Sequence, residues 1–312
     1  MTIYEAYLLW QKEYWSIEGN LLENTIRGYI SIYNRHILPV VGNNDISNIN
    51  TDALQNYYNS LRNDGISAKT IRNINQALES LINWCFHRKI ISAKPEREII
   101  LPKKRGQNNI RNFLSEEEWK QIKPLLRGQY KFAILFYTET GIRPEEIAIL
   151  KSNINNHFIY IRTAVKRKYT DYNKRTTVRV CSEYLKSKAA YRSIPITPNV
   201  QSVIERQELF LKRKHIQSDY LFCNIYGDLP ELRNISRSLH SAMKRAGVEK
   251  KGLNSLRKLY IKRMVKNGMQ PKTLQKIVGH EEFSTTMKYY LEVSDQDKYD
   301  EALSIYEKMN KI

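Results

Sequence analysis

Between Asn156 and Thr197 the apolar spacing of this chain drops from a period near 3.6 residues to one near 2, then returns. The low-period segments are F-I-Y-I-R-T-A-V, T-T-V-R-V-C and R-S-I-P-I, three expected strands joined by K-R-K-Y-T-D-Y-N-K-R and E-Y-L-K-S-K-A-A-Y. Helical patterns flank them on both sides. The chain is therefore expected to be mainly α with a small β-hairpin sheet.

The first hundred residues read as helices throughout. Residues 2–15 carry Ile3, Ala6, Tyr7 and Trp10 at helical spacing behind Thr2 as N-cap. Glu23–Leu38 places Ile26, Tyr29, Ile30 and Tyr33 on one face, with Pro39 and Gly42 as its stop. Thr51 is expected to cap a third helix, running to Leu61 and ending near Gly65. Ser67 opens a fourth, whose Ile71, Ile74, Ala77, Leu78, Leu81, Ile82 and Cys85 form a continuous apolar stripe. Residues 1–100 are thus expected to form a helical bundle.

Leu101 to Asn112 is basic and polar, is broken by Pro102 and Gly106, and reads as a linker. A second domain, residues 113–312, starts at Leu114, Ser115, Glu118 and Trp119, a hydrophobic staple around a capping box. Further helices are expected near Tyr130–Thr138, Val200–Lys214, Leu232–Ala246 and Arg257–Asn267, then a short one from Pro271 to Gly279. The last segment, 297–310, aligns Ala302, Leu303, Tyr306 and Met309 on one side. It is too short for a stable isolated helix and needs a surface to lie on.

The formal charge is +19, from 51 Lys+Arg against 32 Asp+Glu. It points to a polyanionic partner, most economically nucleic acid. Residues 1–112 hold 14 basic against 10 acidic residues, a net +4, and the remainder 37 against 22, a net +15. Ten of those basic residues lie between Arg162 and Arg192 against only Asp171 and Glu183, a local +8 that suits a phosphate backbone. No apolar run is long enough for a membrane span and no secretory leader is evident, so the cytoplasm is the expected compartment. Cys85, Cys181 and Cys223 are odd in number and far apart, and the six histidines do not cluster. Neither a disulfide framework nor a metal site is expected.

Two stretches carry the chemistry. One is T-G-I-R-P-E-E-I-A-I-L, Thr140 to Leu150; the other runs from Gly252 to Tyr290 and contains N-S-L-R, V-G-H and K-Y-Y. Together they resemble the two signature boxes of the tyrosine recombinase, or phage integrase, family. The first box, T-G-x-R-x-x-E-x-x-x-L, is matched at Thr140, Gly141, Arg143, Glu146 and Leu150. The second, H-x-L-R followed by L-G-H and a tyrosine nine positions later, is matched at Leu256, Arg257, Gly279, His280 and Tyr289. It departs at its first position, where Asn254 stands for the family's usual histidine. H-I-L-P-V-V-G (His36–Gly42) and G-I-S-A-K-T (Gly65–Thr70) resemble the family's helical core-binding domain.

The resemblance implies a site-specific DNA recombinase that breaks and rejoins strands through a 3′ phosphotyrosyl link. Tyrosine, with a free pKa near 10, needs its proton removed and the phosphate's growing charge held. Arg143 and Arg257 suit the second task, because a guanidinium donates paired hydrogen bonds and keeps its charge. Glu146 would orient Arg143 from three residues away. His280 would hydrogen-bond the scissile phosphate, and Tyr289 is preferred over Tyr290 as nucleophile by the nine-residue count. Lys186, in K-S-K-A-A-Y-R-S-I-P, aligns with the lysine that protonates the leaving 5′ oxygen; Lys188 is the alternate. Asn254 donates a hydrogen bond but cannot act as a general base. That leaves an active enzyme as the main reading and a DNA-binding regulator that no longer cuts as the rival. A topoisomerase without site choice is a second rival.

No cofactor is expected, since the arginines take the part of a metal and no phosphate-binding glycine loop is present. Expected partners are double-stranded DNA carrying specific core sites, a tetramer of the chain itself on that DNA, and accessory DNA-bending or excision factors. The resemblance also suggests that helix 297–310 is exchanged between subunits. The chain starts at the helical domain, so the expectation is either action on simple core sites or a truncated copy that has lost an arm-binding domain.

Overall fold

A computed structural model of the chain describes residues 1–17, 21–95, 98–103, 113–171, 176–183, 185, 187–291, 299, 303, 306 and 309. Its contacts divide it into two compact units, Met1–Asn108 and Asn109–Ile312. It is mainly α, with two small antiparallel strand pairs. The expected linker lies largely outside the described residues, as does most of segment 297–310.

In the first unit, α1 (Ile3–Trp10) starts at Thr2, whose side chain accepts from the Glu5 amide while the Glu5 carboxylate accepts from the Thr2 amide. The helix continues as a π turn, Gln11–Trp15. The second helix departs from the sequence expectation. α2 (Glu23–Ile32) passes into a π turn at Tyr33–Ile37 and then into α3 (Leu38–Val41), so the chain remains helical through Pro39. A proline ring ordinarily collides with the carbonyl four residues back, and the wider π turn just ahead of it relieves that clash.

α4 (Thr51–Asn63) is capped by Asn50, not Thr51: the Asn50 side chain accepts from the Ala53 amide at 2.9 Å. An Asn one residue ahead competes at least as well as Thr for this position. α5 (Ala68–His87) starts at Ser67 and buries its stripe from Ile71 to Cys85. The core of the unit is aromatic as well as aliphatic. Tyr7 stacks on Tyr33 with ring centres 4.3 Å apart, and the Tyr33 hydroxyl donates to the Ala77 carbonyl.

In the second unit, Ser115 and Glu118 close the expected capping box on α6 (Glu116–Ile122), and Leu114 and Trp119 are both buried. α7 (Lys131–Thr140) is apolar on nearly every side: Ala133, Ile134, Phe136 and Tyr137 are buried. Such a helix has to be enclosed. Here α8 (Pro198–Arg213), α9 (Leu232–Arg245) and α10 (Asn254–Lys266) pack around it. α10 begins three residues ahead of the expected start, which places Arg257 in its first turn. α11 (Pro271–Val278) and α12 (Phe283–Leu291) follow.

Among the described residues, four strands stand where three were expected. β1 (Phe158–Ile161) pairs with β4 (Arg192–Pro195), and β2 (Ala164–Asp171) pairs with β3 (Thr176–Ser182). The first apolar stretch divides at Arg162–Thr163, because Thr163 is buried and its hydroxyl donates to the Ala148 carbonyl, which ends the β1 ladder. Much of the expected connector is strand β2: charged residues such as Lys166, Arg167 and Lys168 pair in register with Val180, Arg179 and Val178. Long basic side chains suit an exposed two-stranded ribbon as well as a loop, so composition misplaced this boundary. Ser115→Ala removes one half of the α6 cap and is expected to lower stability by about 1 kcal/mol, read as a lower urea midpoint.

Candidate active site

Arg143 follows the helix end at Gly141, which adopts φ +64°, a left-handed conformation that suits glycine. A Cβ at Gly141 would come within 2.3 Å of the buried Tyr260 ring on α10, so a glycine here lets α7 and α10 approach closely. The chain then turns through a 3₁₀ segment, Pro144–Ile147, which carries Glu146. Arg143 precedes that turn and does not belong to its helical face. Its backbone N–H donates to Glu146 Oε2 at 2.7 Å and its guanidinium to Oε1 at 2.9 Å, so one carboxylate fixes both ends of the residue.

Glu146 is buried and serves a second arginine. Arg192, on β4, donates from Nη1 to Oε1 at 2.9 Å and from Nη2 to Oε2 at 2.8 Å. Its side chain is 5% exposed. Burial pushes the Glu146 carboxyl up, but the hydrogen bonds and charge of Arg192, with Arg143, outweigh it and hold the pKa below the ordinary range. The sequence reading used R-S-I-P to align Lys186 and gave Arg192 no role. The structure makes it the central tie of the site. An arginine three residues before a proline, at the start of a short strand, was the available signal.

Both arginines also reach the end of α11. Arg192 Nε donates to the Ile277 carbonyl at 2.6 Å, and Arg143 Nη2 donates to the Gly279 carbonyl. These terminal carbonyls have no partners within the helix and carry its negative dipole end, so guanidiniums suit them. Gly279 turns the chain at φ +70°, and a Cβ there would press on the Ala189 carbonyl and the Arg192 side chain. His280 emerges from this turn.

Arg257, buried in the first turn of α10, donates to the Gly141 carbonyl at 2.8 Å. Burial, and then the charge of Arg143, push its pKa down to about 9, still high enough to keep it charged at neutral pH. His280 Nδ1 lies 2.9 Å from the hydroxyl of Thr286, a fully buried residue on α12. Burial first, then Arg257, Arg143 and Arg192, push the imidazole down to about 4, so it is neutral at pH 7. When Nδ1 accepts from Thr286, the proton resides on Nε2, which is then a hydrogen-bond donor. Thr286, six residues after His280, was not singled out in the sequence.

Tyr289 stacks on His280, with ring centres 6.4 Å apart and planes 16° from parallel. Tyr290 faces elsewhere and donates its hydroxyl to the Met269 carbonyl. Asn254 is exposed at the first position of α10. Lys186 lies outside the described residues; Lys188 is exposed in a 3₁₀ turn, Lys188–Ala190. The structure thus brings Arg143, Glu146, Arg257, His280 and Tyr289 together, and adds Arg192 and Thr286. The three guanidiniums and one carboxylate leave an excess of positive charge, an arrangement suited to an anion.

Comparison with known proteins gives the same family on both units. Residues 112–297 match the model of the phage integrase family, and residues 2–62 that of the phage integrase N-terminal SAM-like domain. The chain is similar to a tyrosine recombinase XerC-like protein of Caldanaerobacter subterraneus subsp. tengcongensis, 24% identical over 273 residues, 81% of this chain and 70% of that one. Among solved structures it is similar to the Tn1549 transposon integrase in complex with transposon right end DNA, with a TM-score of 0.72 and 16% identity over 98% of this chain and 100% of that one. It is also similar to lambda integrase, solved as a tetramer bound to a Holliday junction, with a TM-score of 0.67 and 15% identity over 93% and 77% of the two chains. At these identities the structural likeness establishes the fold.

Glu146→Gln leaves two guanidiniums facing a neutral amide in a buried site, and a loss of about 3–5 kcal/mol in urea unfolding is expected. For His280, the unfolded chain takes up its proton near the ordinary 6.5 and the folded chain only near 4. Its contribution to stability is therefore full above pH 6.5 and declines as pH falls toward 4. The urea midpoint should fall more steeply over that interval than in His280→Gln. The His280 imidazole resonances should stay constant between about pH 5.5 and 8.

Proposed function

The chain belongs to the phage integrase family, and from that premise we propose that it is a tyrosine-type site-specific DNA recombinase, the integrase of a mobile element. Residues 1–100 are read as the helical core-binding domain, 101–112 as a basic linker and 113–312 as the catalytic domain. The observation that carries the reading is the meeting of Arg143, Arg257, His280 and Tyr289, drawn from separate segments, around a buried cluster with excess positive charge.

In this reading Arg143 and Arg257 donate to the non-bridging oxygens of the scissile phosphate, and neutral His280 donates from Nε2. The Tyr289 oxygen attacks phosphorus as its phenolic proton passes to solvent water. A bond forms between that oxygen and the 3′ phosphate, and the bond to the 5′ oxygen breaks. Lys186 supplies the proton to the leaving 5′ oxygen. The free 5′ hydroxyl of a second strand then attacks the phosphotyrosyl bond and releases Tyr289, so no high-energy cofactor is consumed. Removing one preorganised donor from such a site costs on the order of 10²-fold in rate.

Asn254 donates a hydrogen bond but does not take the tyrosine's proton. Its exposed position at the start of α10 suits contact with a phosphate from the rim of the site. The double-stranded core sites, the tetramer and helix 297–310 as an exchanged element belong to the same proposal. Of that segment, Tyr299, Leu303, Tyr306 and Met309 are helical and all exposed, an apolar row suited to a neighbouring subunit. Accessory bending or excision factors and a cytoplasmic site of action complete it. No helix among the described residues is long and apolar enough to cross a membrane.

A nicked suicide substrate bearing the flanking attachment sequence tests the reading. The expected result is a covalent protein–DNA adduct that survives SDS, persists in Tyr290→Phe and is lost in Tyr289→Phe. DNA binding without any adduct would favour the silent regulator instead.

A further inference from the structure

Phe113 is the first described residue after the basic stretch that leads into the second unit, and it sits ahead of the α6 cap. Its ring meets Tyr289 edge to face, with centres 6.4 Å apart and planes at 78°. Two lysines of α10 lie over the same ring: Lys258 Nζ is 4.4 Å and Lys262 Nζ 4.1 Å from its centre. They are four residues apart and so share one face of the helix whose first turn carries Arg257. Tyr289 is thereby held between two aromatic neighbours, His280 against its face and Phe113 in an edge contact.

We propose that Phe113 is a positioning residue for the nucleophile, holding the Tyr289 ring beside Arg257 and His280 in an arrangement competent for attack on phosphorus. The inference rests on Tyr289 being the nucleophile. The physical case is specific to an aromatic ring. An edge-to-face pair depends on the quadrupole of both partners, and a ring under two ammonium groups is held by the same quadrupole. An aliphatic side chain of similar size would fill the space without either interaction. The lysines also connect the ring to α10, so the nucleophile on α12 and Arg257 on α10 are referred to one shared neighbour. α12 lies near the end of the described chain, and it gains a lateral contact that its own helix does not provide.

The quantity at stake is the fraction of time that the Tyr289 ring spends in place. An edge-to-face contact shifts such a population by up to about tenfold. That change enters the cleavage rate at saturating DNA, because the placement of the ring acts on the chemical step, and leaves DNA affinity untouched.

The test measures adduct formation on the suicide substrate in single-turnover experiments across DNA concentrations. Phe113→Leu keeps the apolar volume, and its maximal rate is expected to fall about five- to tenfold with half-saturation unchanged. Phe113→Tyr retains the ring and is expected to restore at least half of the rate. Thermal melting of both variants is measured alongside. An unchanged maximal rate in Phe113→Leu, a loss confined to half-saturation, a loss that follows the melting temperature, or a failure of Phe113→Tyr to restore the rate would each overturn the inference. If Tyr289→Phe still forms adduct, the nucleophile assignment fails first and the inference falls with it. Adduct lost in Tyr289→Phe with equal rates in all Phe113 variants overturns the role of Phe113 alone.

Discussion

The second unit depends on one buried carboxylate. Glu146 accepts from the backbone and guanidinium of Arg143 and from two nitrogens of Arg192. Each of these charges alone would be costly to bury, and together they offset one another. The same arginines extend to the terminal carbonyls of α11 at Ile277 and Gly279. The first-box turn, strand β4 and the end of α11 are therefore joined through a single charge cluster, and His280 takes its position from that junction.

The cluster is balanced toward the positive. Arg257 adds a third guanidinium, itself buried, and burial first, then the charge of Arg143, push its pKa down. A phosphodiester supplies the missing negative charge, and a pentacoordinate phosphorus supplies more. Charge held in place before the reaction does not need to reorganise during it. Burial first, then the three guanidiniums, depress His280, and as a neutral ring it adds a donor without adding another positive charge.

Much of this was legible in the chain. The period change around residues 156–197 announced a helical protein with a small β insertion, and the N-cap at Thr2 and the capping box at Ser115 marked helix starts to the residue. Arg143, Glu146, Arg257, His280 and Tyr289 could be read because their spacing lies within short local motifs. Less local features were missed. Pro39 was read as a stop because proline sterics presume an α turn, while the chain supplied a π turn ahead of it. The β2 boundary was missed because a basic ribbon and a basic loop share a composition. Arg192 was passed over because its importance comes from Glu146, 46 residues away, and not from its neighbours in sequence.

The amino-acid sequence by itself determined the family, the helical character, the electropositive bias and the residue types able to do phosphoryl chemistry, since these follow from local spacing and total charge. Only the tertiary structure decided which side chains meet. It selected the stacking of Tyr289 on His280 over that of Tyr290, gave Thr286 the imidazole nitrogen, and set Phe113 against Tyr289. The reason is geometric: these contacts depend on how α10, α11 and α12 pack with one another and with the start of the second unit, and no local pattern encodes that packing.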